Sequence, residues 1–110
     1  MACDYHYRLT AKAKDELDRI LHYIGEELEN TKAATLLLDE IDKSMERACI
    51  FPESGMLVPN EFVLGPVIRK KIVNNYILYY TVDREKKIIW VLRIVYGSRN
   101  QDEVMRGLSN

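Results

Sequence analysis

Five side chains in the C-terminal half have the chemistry to hold negative charge or move a proton: Arg69, Lys71, Arg93, Tyr96 and Arg99. Guanidinium and ammonium groups stabilise phosphate or carboxylate through charge-assisted hydrogen bonds, and a phenol can shuttle a proton or stack on a partner. Arg69 and Lys71 are two residues apart, so on a strand they share one face and Lys70 takes the other. The plainer reading of that trio is an edge strand guarded by charge against unwanted pairing.

Arg93 interrupts the most apolar segment of the chain, Ile88 to Val95. Strict alternation puts it on one face with Ile89, Val91 and Val95, although a single bulge would exchange the faces. An unpaired buried charge costs several kcal/mol, so Arg93 either forms an ion pair with a helix carboxylate or reaches a partner. Tyr96, Ser98 and Arg99 follow at the exit of the segment, beside Gly97, where side chains can reach outward. Tyr76, Tyr79 and Tyr80 can stack on bases or on a peptide, but alternation turns at least two of the three toward packing within the fold.

The charge distribution follows the same division. Residues 1 to 55 carry 7 Lys/Arg against 12 Asp/Glu and residues 56 to 110 carry 9 against 5, so net charges of −5 and +4 underlie an overall −1. The acidic residues of the first half, such as Glu26, Glu27, Glu29, Asp39, Glu40 and Asp42, read as a solvated face.

The elements that must position these groups are legible in the periodicity. Tyr5, Tyr7 and Leu9 alternate with His6 and Arg8 as in a half-buried strand. Thr10 can cap a helix striped by Ala13, Leu17, Ile20, Leu21, Ile24 and Leu28, about five turns long, with Gly25 loosening its last turn. Asn30 or Thr31 caps a second helix, striped by Ala34, Leu37, Leu38, Ile41, Met45 and Ala48 up to Phe51-Pro52. The short connection makes the two an antiparallel hairpin. Pro52-Glu53-Ser54-Gly55 signals a turn, and Met56 to Pro66 reads as a loop with little regular structure.

Three strands follow, Val67 to Val73, Tyr76 to Val82 and Lys87 or Ile88 to Tyr96, joined by turns at Asn74-Asn75 and Asp83 to Lys86. They form an antiparallel meander whose last strand is apolar enough for a central position, and residues Gln101 to Leu108 fit a short terminal helix. The expectation is one α+β domain over residues 1–110, with the helix hairpin on one sheet face and the other face free for function.

Other chemistries find no support. His6 and His22 build no metal framework beyond a lone Cys3-x-x-His6, and no glycine-rich phosphate loop, GxSxG elbow or paired carboxylates stand out. No metal or cofactor is expected. Cys3 and Cys49 form no CxxC, no apolar leader precedes them, and no run approaches the roughly 20 residues of a membrane span, so a reduced cytoplasmic protein is expected.

The order and spacing of several short motifs resemble the RelE/ParE superfamily of bacterial toxin-antitoxin toxins. They are Tyr7-x-Leu9-Thr10, Ala11-x-Ala13 with Asp15, Ile20-x-x-Tyr23-Ile24, Phe51-Pro52-Glu53-Ser54-Gly55, Arg69, Asn75-Tyr76-Ile77-x-Tyr79-Tyr80 and Arg93-Ile94-x-Tyr96-Gly97-x-Arg99. The resemblance implies a growth-arresting toxin neutralised by a small cognate antitoxin, which would use apolar grooves beside the helix hairpin. It implies one of two mechanisms. A RelE-like member is a ribosome-dependent, metal-independent mRNA endoribonuclease, with Arg69, Lys71, Tyr96 and Arg99 at the matching catalytic positions. A ParE-like member inhibits DNA gyrase by binding it, here through Arg93, Tyr96 and Arg99. The arginine that many ribonuclease members carry on the middle meander strand is replaced by Ile77 or Tyr76, and the terminal-helix tyrosine of one branch falls near Met105. Those departures, with a net charge of −1 where RNA binding favours strong positive charge, incline the reading toward gyrase.

Overall fold

A computed structural model describes residues 4–59 and 67–97. Thr10 caps the first helix, α1 (Ala11–His22), accepting from the Ala13 amide at 3.1 Å. Its hydroxyl also donates to the Leu92 carbonyl at 3.1 Å, so the cap fixes the helix to the sheet. The regular α pattern stops at His22, earlier than the apolar stripe predicted, and passes into a π-helical turn over Tyr23–Glu27. Gly25 lies inside that turn, where its low helix propensity weakens the regular ladder, and Glu29 closes it in the left-handed region at φ 50°. Asn30 then caps α2 (Thr31–Ile50) by accepting from the Ala33 amide at 3.0 Å.

Among the described residues, five strands form one mixed sheet in the order β1-β5-β4-β3-β2. β3 (Ile68–Val73), β4 (Tyr76–Asp83) and β5 (Ile88–Tyr96) are the expected meander. β1 (His6–Leu9) lies parallel to β5, which gives β5 a neighbour on each side, as its apolar character required. The segment after Gly55 departs from expectation: Met56–Leu57 form a short strand, β2, antiparallel to Lys70 and Arg69 of β3. Two residues are too few for any period to show in the sequence.

The helices cover one face of the sheet. Ala13, Leu17, Leu37, Ile41, Met45 and Ala48 pack there with Val73, Leu78, Tyr80, Ile89, Val91 and Ile94. The opposite face differs from the open, cation-lined surface the sequence suggested. Val58, Ile68, Ile77, Tyr79 and Val95 form a second, smaller apolar cluster on that side, with Leu92 against it. Of the cationic trio only Lys70 stands opposite Tyr79, whereas Arg69 pairs with Tyr80 and Lys71 with Leu78 on the helix side.

The register between β4 and β5 breaks at Tyr79/Tyr80, which stand opposite Arg93 and Val91 with Leu92 left over between them. This bulge corrects the strict alternation. Ile89 and Val91 face the helices, Ile94 takes over that face, and Arg93 falls with Val95 on the other. No helix among the described residues is long and apolar enough to cross a membrane.

Candidate functional site

Arg69 projects from β3 onto the turn that follows α2. Its guanidinium donates to the carbonyls of Gly55 at 2.9 Å and Glu53 at 3.2 Å. Tyr80, its cross-strand neighbour, donates to the Pro52 carbonyl at 2.7 Å and accepts from the Gly55 amide at 2.8 Å. Arg69 and Tyr80 thus fasten Pro52–Ser54 and Gly55 to the sheet. Gly55 is required by the approach, because a Cβ there would lie 2.6 Å from the Tyr80 hydroxyl and 2.8 Å from the Lys70 carbonyl.

Lys71 lies two residues further along the same face, partly buried. Burial, and secondarily the Arg47 charge on α2, lower its ammonium below the ordinary lysine value.

Arg93 is only 8% exposed, and its guanidinium is engaged by Glu16 of α1 at 2.8 to 3.1 Å. The helix ion pair weighed for it in the sequence is the arrangement found. Glu16 also accepts from the Ile94 amide at 3.1 Å. β1 ends at Leu9 opposite Val91, so this carboxylate caps the edge of β5 where its parallel neighbour runs out.

Tyr96 remains outward, 49% exposed, and stands edge-on to Tyr76 with ring centroids 5.8 Å apart and an interplanar angle of 69°. Tyr23 of the π turn approaches the same spot. Burial first, then the neighbouring Tyr96 and Tyr23 phenols, push the Tyr76 hydroxyl up from its ordinary value. Sequence reading placed Tyr23 only within the Ile20-x-x-Tyr23-Ile24 motif and gave it no part in the site, since it sits beside the apolar stripe of α1. Gly97 donates its amide to the Asn75 carbonyl at 2.7 Å. Arg99, Ser98 and the proposed terminal helix lie outside the described residues.

The register places Arg69 and Lys71 along the sheet from the Tyr76–Tyr96 pair. Arg69 stands opposite Tyr80, four residues along β4 from Tyr76, which stands opposite Tyr96. Four residues of rise and two interstrand spacings put the Cα atoms of Arg69 and Tyr96 about 16 Å apart, and those of Lys71 and Tyr96 about 12 Å apart. Among the described residues no group of three or more His, Cys, Asp and Glu side chains could hold a metal ion.

A sequence model of the ParE toxin of the type II toxin-antitoxin system parDE matches residues 7–101, nearly the whole of β1 through β5 and beyond. The chain belongs to the ParE toxin family. Its fold is similar to that of a chain from the chromosomal ParDE toxin-antitoxin system of P. aeruginosa, with a TM-score of 0.63 at 22% identity over 86% of this chain and 98% of the other. It is also similar to a chain of the archaeal RelE-RelB complex from Pyrococcus horikoshii OT3, with a TM-score of 0.55 at 14% identity over 88% and 99%. No curated relative matches at a significant level. In this ParE-family chain the Phe51 to Gly55 motif is a structural anchor, held by Arg69 and Tyr80.

Proposed function

We propose that this protein is the growth-arresting toxin of a type II toxin-antitoxin pair, acting in the cytoplasm, held inactive by a small cognate antitoxin, and inhibiting DNA gyrase by binding it. The observation that carries the choice of gyrase is the commitment of Arg69, a cation that would otherwise serve a nuclease. Arg69 is occupied by backbone carbonyls, and strand geometry puts its Cα about 16 Å from that of Tyr96; Arg93, expected at the gyrase interface, is buried and held by Glu16. Cleavage of RNA by attack of a 2′-hydroxyl needs cations and a proton carrier around one phosphate. A binding inhibitor needs only an exposed surface, and Tyr96, half exposed beside Tyr76, supplies one. The ParE family model supports the same choice.

One observation favours the RelE-like reading: Lys71 and Arg47 bring two cations together on the helix side. Induction in cells with pulses of labelled thymidine and methionine separates the readings. Early loss of thymidine incorporation with intact message, reversed by the antitoxin, is expected. An immediate fall in methionine incorporation with cut mRNA, abolished by Arg99→Ala, would overturn it. Purified protein should also block supercoiling by gyrase.

A further inference from the structure

Tyr76 opens β4 and Tyr96 closes β5, and the antiparallel register sets them directly opposite each other. Cross-strand partners of this kind have Cβ atoms only about 4.5–5.5 Å apart. The backbone is tied just beyond the pair as well, where Gly97 donates to the Asn75 carbonyl at 2.7 Å. Tyr76 packs against the helix-side core, while Tyr96 leaves 49% of its surface to solvent. The rings meet edge-on with their centroids 5.8 Å apart, so a solvent-facing phenol is held against one that the core keeps in place.

The chain has seven tyrosines, and the other five are placed differently. Tyr79 and Tyr80 are 1% and 0% exposed, out of reach of a dissolved oxidant. Tyr7 donates its hydroxyl to Asp42, and Tyr5 lies under the Lys87 ammonium, 6.0 Å from the ring centroid. Tyr23 is as exposed as Tyr96, but it stands on the π turn and not in a strand ladder that would fix a second ring against it.

We propose that Tyr76 and Tyr96 are a site of oxidative modification, at which a one-electron oxidant joins the two phenols as dityrosine within one chain. Each hydroxyl loses an electron and a proton, and the unpaired spin of the resulting phenoxyl spreads to the ring carbons beside the oxygen. A bond then forms between a Cε of Tyr76 and a Cε of Tyr96, and the hydrogens on those carbons move to the oxygens, restoring two phenols. With hydrogen peroxide as terminal oxidant, acting through a haem peroxidase, the two electrons and two protons convert one peroxide to two waters. Two radicals held side by side combine in a unimolecular step, which encounter between dilute molecules cannot match. The bond also pins the Tyr96 ring to β4 within the surface proposed for the target, and that consequence alone rests on the gyrase reading.

The test treats the full-length protein, dilute and folded, with a haem peroxidase and stoichiometric hydrogen peroxide, then maps tryptic peptides by mass spectrometry. Cleavage after Lys71, Arg84, Arg93 and Arg99 isolates residues 72–84, which hold Tyr76, and residues 94–99, which hold Tyr96. The expected product is these two peptides joined, two hydrogens lighter than their sum, from protein that migrates as a single chain in a denaturing gel. Fragmentation should place the bond on Tyr76 and not on Tyr79 or Tyr80. Tyr76→Phe and Tyr96→Phe should each lower dityrosine fluorescence by about tenfold or more, and Tyr23→Phe should leave it unchanged. Oxidation of the exposed Met56 adds oxygen instead and is separated by mass. The proposal is overturned if dityrosine joins different chains into dimers, or if residues 94–99 are linked to the peptide that holds Tyr23. It is equally overturned if residues 72–84 and 94–99 stay unlinked.

Discussion

Glu16 and Arg93, 77 residues apart in sequence, close the edge of β5 beyond the end of β1. The carboxylate takes the Ile94 amide as well as the guanidinium, and the two side chains are only 15% and 10% exposed. Removing one partner of such a pair leaves a buried charge uncompensated, which costs roughly 3–5 kcal/mol. Glu16→Ala should therefore lower the urea midpoint steeply, whereas Glu16→Ala with Arg93→Met should recover much of the loss. A single-variant cost below about 1 kcal/mol, the range of exposed pairs, would show that the pair does not hold the edge.

Tyr80 and Gly55 make a similar claim on the turn after α2. Tyr80→Phe leaves the Gly55 amide and the Pro52 carbonyl without their buried partner, at about 1–3 kcal/mol. Gly55→Ala should cost at least as much, because the new methyl meets the Lys70 backbone as well as the phenol. Thermal unfolding of the two variants measures both. If Gly55→Ala is tolerated, the turn is not pinned as described.

Tyr96 separates binding from proton transfer. With its ring packed edge-on to Tyr76 and half of its surface free, it serves a protein interface through its area. Tyr96→Phe should retain growth arrest and Tyr96→Ala should lose it while still binding antitoxin. Equal loss in both variants, with the fold intact, would point to a proton carrier.

Alkaline pH should destabilise the protein. The Tyr7 hydroxyl is pushed well above its ordinary value by burial and then by its hydrogen bond to Asp42, and burial raises Tyr76, Tyr79 and Tyr80 as well. An unfolded phenol titrates near 10, so the unfolded chain loses these protons before the folded one does. Their contribution is complete below about pH 10 and is lost as pH rises toward the raised native values. Urea midpoints measured at pH 7, 9, 10.5 and 11.5 should fall only in the last two, and less steeply in Tyr7→Phe.

Sequence periodicity carried the helices and the meander because those elements repeat: Leu37, Ile41, Met45 and Ala48 reappear in the core as their spacing required. It could not carry features that depend on one residue or on a distant partner. The leftover Leu92 changes the face of everything after it, and nothing in a run of apolar residues marks where a bulge falls. Arg69 looked like a phosphate ligand because backbone carbonyls, the acceptors it uses, are present at every position and leave no signature. Arg93 was read as needing either a helix carboxylate or a partner, and deciding between them, with Glu16 chosen among the helix acids, required the fold. Arg47, on a helix face that reads as solvated, gains its interest only from β3 beside it.

The parallel pairing of β1 with β5 has a consequence in time. His6 meets Ile88 across 81 residues of intervening chain, so β1 has no neighbour until β5 has been made. A nascent chain paused before residue 88 holds the helix hairpin and a partial meander, but not the strand that bears Tyr96. Contacts of such long sequence separation form late and slowly. The surface proposed to arrest growth is thus assembled only after β5 has been made, and a product truncated before β5 lacks it.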